Sequence, residues 1–181
     1  MDKRVPMVWG ATPEEVARHY PADDLVAGAL LLTRGISVAA PATLTWRWLC
    51  QIAVAPYSYD WVDNRGHRSP GTLTPGAERL ELGQAMAGVF LLTSYDDGHH
   101  WTALTSPRGQ RLFGPVAITY AAEPDGPASR IVCRLAVGVD GPLSRLRAHV
   151  LAWGDLVMMR RQLLNLKALA ERDAAVVEEA R

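Results

Sequence analysis

Two tight-turn signals constrain this chain more than any other feature of it. Asp96-Asp97-Gly98 separates strand-like runs at residues 88–95 and 99–105, and Pro124-Asp125-Gly126-Pro127 separates runs at 115–122 and 129–137. Strands joined by connections this short must pair antiparallel, because a parallel pair needs a crossover of a dozen or more residues. A fifth run, residues 79–82, precedes them. Upstream lies one more aliphatic run, Leu30 to Val38, stopped by Ala39-Ala40-Pro41. The order of parts is therefore one strand, helical segments, a strand-rich middle and a long terminal helix.

The helical segments are marked by their ends. Thr12-Pro13-Glu14-Glu15 is a capping box with proline at the first helical position, and Pro21 ends that short helix. Pro41 opens a second helix carrying Leu44, Trp48, Leu49 and Ile52 at helical spacing, which Pro56 breaks. Residues 57–64 form a third, with Gly66 as its C-cap. Residues 67–77 are dense in Pro, Gly, Ser and Thr and read as a loop. From Leu143 or Leu146 to about Arg172 runs the long helix, whose Leu146, Val150, Trp153, Val157, Leu164 and Ala168 fall on one strip, widened by Leu156 and Leu163.

The chain has 181 residues, the size of one domain; residues 1–24 read as an N-terminal helical appendage and 28–175 as the core fold. Hydrophobic residues make up 49% and charged residues 21%, which suits a folded globular domain. Lys plus Arg (19) equals Asp plus Glu (19), so no broad basic field favours nucleic acid. The longest apolar run, residues 25–32, is too short to span a bilayer, and the first residues lack the apolar core of a signal peptide, so a cytoplasmic protein is expected. Cys50 and Cys133 stand apart in apolar contexts and are expected as buried thiols.

Ile36-Ser37-Val38-Ala39-Ala40-Pro41 running into Thr45-Trp46-Arg47-Trp48-Leu49, the block Tyr57-Ser58-Tyr59-Asp60-Trp61-Val62-Asp63-Asn64, and the final helix with Gly154-Asp155 and residues 159–167 together resemble an uncharacterised bacterial branch of the SRPBCC superfamily, the START-like or polyketide cyclase/dehydratase-like proteins. The resemblance implies an α+β helix-grip fold: a curved antiparallel sheet of about six to seven strands around the C-terminal helix, two short helices after the first strand, and a cavity between sheet and helix. It transfers no catalytic residue, because fold alone does not specify function.

Candidate site residues follow from the pattern taken together with the cavity that the resemblance implies. Trp48, Tyr59, Trp61, Phe90, Trp101, Tyr120, Trp153 and Met159 are the expected apolar lining of a pocket, with His149 and Arg160 as polar anchors, since charge inside an apolar arc must be paired or face a wet cavity. Asp60, His99 and His100 are the catalytic candidates for proton transfer. Each has a plainer reading. Asp60 can cap its helix, a histidine can face solvent, and Arg160 can pair with Glu78 or Glu81 or reach out at the rim. Adjacent strand histidines point to opposite faces, so no metal is expected, and no cofactor. Arg130 and Arg134 alternate with Ile131, Cys133 and Leu135, giving one dry face and one polar, solvated face. Gly154, mid-helix, reads as a point of close approach.

The leading expectation is binding of a hydrophobic or aromatic small molecule as a carrier or sensor. The alternatives are a cyclase/dehydratase-type enzyme acting on a polyketide-like substrate, and a protein-interaction module. With the interaction reading goes a homodimer through exposed Leu and Val near the ends, and neither nucleic acid nor a membrane span is expected as a partner.

Overall fold

The computed structural model describes residues 5–64, 66–139 and 141–179. Strands β1 (Val8–Trp9), β2 (Leu30–Val38), β3 (Ala85–Met86), β4 (Phe90–Asp96), β5 (His100–Thr105), β6 (Val116–Asp125) and β7 (Ala128–Val137) form one sheet in the order β1-β2-β7-β6-β5-β4-β3. All neighbours are antiparallel except β1, which runs parallel to β2. Both predicted hairpins are present, Asp96 pairing with His100 and Asp125 with Ala128. Thr93 is the extra residue of a bulge in β4, between the Leu92 and Ser94 pairings.

Helices α1 (Pro13–Ala17), α2 (Ala42–Cys50), α3 (Asp60–Asp63), α4 (Pro107–Phe113) and α5 (Pro142–Glu179) complete the chain, with 3-10 turns at Pro21–Asp24 and Gln51–Ala53. At 38 residues, α5 is about 57 Å long at 1.5 Å per residue. The capping box of α1 forms: Thr12 Oγ1 accepts from Glu15 N (3.2 Å) and Glu15 Oε2 accepts from Thr12 N (2.8 Å). Three expectations fail. Residues 79–82 form no strand and lie in the loop before β3, α3 begins only at Asp60, and α4 stands where no helix was expected.

Strand alternation sends Ile131, Cys133, Leu135 and Val137 of β7 into the main core, with Trp48 and Leu49 of α2, Trp101 and Tyr120 of the sheet, and Met159, Leu163 and Leu166 of α5. The Trp101 and Tyr120 rings stack with centroids 4.5 Å apart, and Trp101 Nε1 donates to Leu49 O (3.2 Å). Both cysteines are free and buried.

The other sheet face is covered by the N-terminal segment. Ala22 and Val26 pack on Ala117 and Ala136, and Ala22 N donates to Thr119 Oγ1 at 3.0 Å. Arg134, expected on a solvated face, does point away from the core but is only 2% exposed. Its Nη2 lies 2.8–3.2 Å from the carbonyl oxygens of Glu15, Val16 and Arg18, and its guanidinium stands 5.0 Å from the Tyr20 ring. Carbonyls left over at the end of α1 supply what solvent would have supplied. Arg130 donates to the buried Glu15 carboxylate.

The face that α5 presents to the core also differs from expectation. Ala148, Ala152, Leu156, Met159, Leu163, Leu166 and Ala170 are buried, whereas Leu146, Val150, Trp153 and Val157 point outward. The strip expected from sequence centres on the large residues, but the buried strip of the first half is built on alanines, small enough to let the helix approach the sheet. Gly154 is on the outer side, and a Cβ there would meet nothing within 4 Å. No described helix is long and apolar enough to cross a membrane.

Candidate functional site

The main cleft, about 900 Å³, opens between residues 57–61, residues 68–71 and the stretch of α5 from Arg161 to Leu169. Its walls are held by a short chain of hydrogen bonds. Gln162 Nε2 donates to Pro56 O, and Asn165 Nδ2 donates to Tyr57 O (2.8 Å), so successive turns of α5 grip the backbone that leads into α3. From the other side, Ser69 Oγ accepts from Tyr57 N (3.2 Å) and is hydrogen-bonded to Asp60 Oδ1, while Ser69 N donates to Asp60 Oδ2 (2.8 Å).

Tyr57, so held, adopts φ +57°, a left-handed conformation that a bulky residue seldom takes and that costs on the order of 1–3 kcal/mol. Its ring meets Trp48 edge-on (centroids 6.0 Å apart, planes at 87°). The phenol oxygen is buried and without a hydrogen-bond partner among the described residues, and burial, with the Asp60 charge adding to it, pushes its pKa up to about 12. It therefore stays a neutral donor at physiological pH.

Asp60 has the opposite balance. Burial raises its pKa, but the Ser69 hydroxyl and backbone N–H, with Asn64 and the Arg68 charge, outweigh it and hold the carboxyl below its ordinary range. An ionised, doubly engaged carboxylate positions a loop well and donates a proton poorly. Trp61 stands 79% exposed over the cleft, and the guanidinium-bearing Arg68 and Arg161 also line it.

The structure disperses the sequence candidates. Tyr59, Asp60 and Trp61 come together in the cleft. Trp48, Trp101, Tyr120 and Met159 are core residues, with Trp48 Nε1 donating to Asp173 (3.1 Å) and Tyr120 Oη donating to Gln162. Phe90 is half-buried against that core. Trp153 is on the outer side of α5. Arg160 lies 5.8 Å over the Trp9 ring, on neither Glu78 nor Glu81. His149 bonds Arg145 O through Nδ1 (2.9 Å) beside a small hollow formed with residues 28–30. His99 is exposed in the hairpin turn, and His100, half-buried at the start of β5, has its pKa lowered mainly by burial.

Sequence reasoning missed Tyr57 as a strained residue, Ser69 as the latch, and Arg161 and Asn165 as the α5 wall. Arg161 is one residue, or 100° of helix, from the anchor that was expected. Ser69 sat unremarked in a loop, and only its bonds to Tyr57 and Asp60 reveal it.

Neither a family model nor a curated protein matches the sequence. Solved structures do match its fold. A Thermobifida fusca protein is 16% identical at a TM-score of 0.52, with 77% of this chain and 94% of that one covered. A Thermus thermophilus protein is 14% identical at 0.51, covering 80% and 99%. The di-domain ARO/CYC StfQ from the steffimycin biosynthetic pathway is 14% identical at 0.52, covering 85% of this chain and 53% of that one. The chain shares with these structures the helix-grip fold, a mostly antiparallel sheet with a long C-terminal helix.

Proposed function

We propose that this protein binds a small, largely apolar and planar molecule carrying an acidic oxygen, held in the cleft between residues 57–61 and α5. The observation that carries this reading is Tyr57. Its backbone is held in a costly conformation by Ser69 and Asn165, its buried hydroxyl has no partner among the described residues, and the residue lines a cleft large enough for a drug-sized ligand. Trp61 and Tyr59 provide aromatic surface, and Arg161 and Arg68 provide charge for an anionic group. The interior beneath the sheet is filled by Trp48, Trp101, Tyr120 and Met159, which favours the rim over the interior as the binding place.

Binding without turnover is the favoured form. A cyclase-type reaction needs an acid and a base converging on the substrate, and of Asp60, His99, His100, His149 and Arg160 only Asp60 lines the cleft. The likeness to StfQ supports the fold and leaves that chemistry to be earned residue by residue.

Native mass spectrometry of the purified chain against a denatured sample tests the proposal, alongside titration with planar aromatic carboxylic acids followed by tryptophan fluorescence. A released small molecule, or saturable quenching that Trp61→Ala weakens about tenfold, is the expected result. An adduct-free mass together with no saturable response to any of the acids overturns it.

A further inference from the structure

The first half of α5 carries a second surface that the cleft does not use. Leu146 (65% exposed), Val150 (65%), Trp153 (47%) and Val157 (54%) recur at spacings of four, three and four, forming one outward row about 16 Å long on the side away from the core. Exposed arginines flank the row on both sides: Arg145 and Arg160 on one, Arg147 on the other. From residue 144 to 161 the sole acid is Asp155, and it turns inward to Arg34, whose Nη2 lies 2.9 Å from its carboxylate. In a chain of zero net charge, this outer surface is basic and apolar with no acid upon it.

The surface extends beyond α5. A Cβ at Gly114, the C-cap of α4, would lie 2.4 Å from the Arg147 guanidinium, so the end of α4 abuts the start of α5. Leu112 and Phe113, next to Gly114, are both exposed.

We propose that this face docks on a lipid leaflet containing anionic phospholipids, with Leu146, Val150, Trp153 and Val157 entering the headgroup boundary and the arginines meeting lipid phosphates. The composition is that of an interfacial amphipathic helix: tryptophan and aliphatics in a row, cations alongside, no acid. Charge complementarity selects the occupant. A second copy laid on the same face, parallel or antiparallel about a twofold axis, would set arginines against arginines, which disfavours it. A convex helix ridge also offers no groove for an extended peptide.

Cosedimentation of the full chain with vesicles of phosphatidylcholine mixed with phosphatidylserine, and with pure phosphatidylcholine, tests the proposal. Binding to the anionic vesicles alone, falling as salt is added, is expected. Arg145→Gln and Arg147→Gln should each weaken it about fivefold, and the pair Val150→Asp/Val157→Asp should weaken it by at least about tenfold. These side chains are exposed, so circular dichroism and Tm should stay at the parent values; if the aspartate pair misfolds, the arginine variants decide. Absence of binding to anionic vesicles overturns the proposal, and so does equal binding to both kinds. A dimer in size measurements that Val150→Asp/Val157→Asp dissociates would assign the face to a second copy and overturn it as well.

Discussion

The two faces of the sheet solve the same problem with different materials. The inner face is closed by large aromatics and the leucines of α5, and one buried arginine crosses it, Arg34, answered by Asp155. The outer face is closed by small residues and by polar strapping, with Arg134 and Arg130 gripping the end of α1 and Glu15. The inner face thus holds by shape, and the outer face by a handful of directed hydrogen bonds. Removing volume should hurt the first, and removing one guanidinium should hurt the second.

The largest effect is expected at Trp101. Trp101→Ala leaves a void beside Tyr120 and frees the Leu49 carbonyl, and should cost about 3 to 5 kcal/mol, read as a drop in Tm or in the denaturant midpoint. A loss below about 1 kcal/mol would mean that the inner face repacks and does not hold by shape. Next comes Arg134→Met, which leaves three carbonyls at the end of α1 without their donor and should cost about 3 kcal/mol. Its signature is local: amide exchange and proteolysis should rise within residues 5–28 while the sheet stays protected. Uniform loss of protection would erase the distinction between the faces.

The arginine pair also separates the faces by pH. Asp155 is pushed up to about 6, burial outweighing the attraction of Arg34. Above the ordinary aspartate value the folded chain therefore holds this proton more tightly than the unfolded one, so this group's contribution to stability falls as pH rises from about 4 to about 6. Asp60 and Glu171 are shifted down, so their contributions are present above the ordinary carboxylate values and are lost as pH falls below them. Asp155→Asn should remove the loss of stability between about pH 4 and pH 6 while keeping the acid limb, measured by denaturant unfolding across that range. A parent whose stability does not change with pH there would mean that Arg34 holds the Asp155 carboxylate strongly enough to cancel its burial. Arg134 is answered chiefly by carbonyl oxygens, which do not titrate, with the Asp23 carboxylate 3.8 Å from its Nε.

How much of this was readable from sequence follows the same divide. β2 was found over residues 30–38 because an aliphatic run was bounded by Ala39-Ala40-Pro41, and both hairpins were found because their turn residues are specific. The two-residue strands β1 and β3 are too short for any periodicity to register. α4 is short, with a glycine inside it, although Ser106 caps it by accepting from Gly109 N. The facing of α5 was lost because hydrophobicity scales weigh Leu146, Val150 and Trp153 above Ala148 and Ala152, while packing against a sheet rewards small side chains. The cleft was half legible. Tyr59, Asp60 and Trp61 announced themselves as an aromatic and acidic cluster, but the Ser69 latch depends on how an irregular loop folds back on α3, and the α5 wall on contacts between residues far apart in sequence.

The smallest effect on stability, and the sharpest on function, is expected at the rim of the inner face. Trp61 is 79% exposed, so Trp61→Ala should change the unfolding free energy by no more than about 0.5 kcal/mol. A large aromatic kept in water beside a cleft gains nothing for the fold that a polar residue would not also give. Asn165→Leu is its counterpart on the α5 wall: it removes the donor to Tyr57 O and should release the strained loop, weakening ligand binding through lost preorganisation. If Trp61→Ala lowers affinity at unchanged Tm and Asn165→Leu lowers both, the rim is a binding site built on a strained support. If instead Trp61→Ala lowers Tm while affinity holds, Trp61 belongs to the packing of the inner face, and the cleft loses its aromatic wall as a site of recognition.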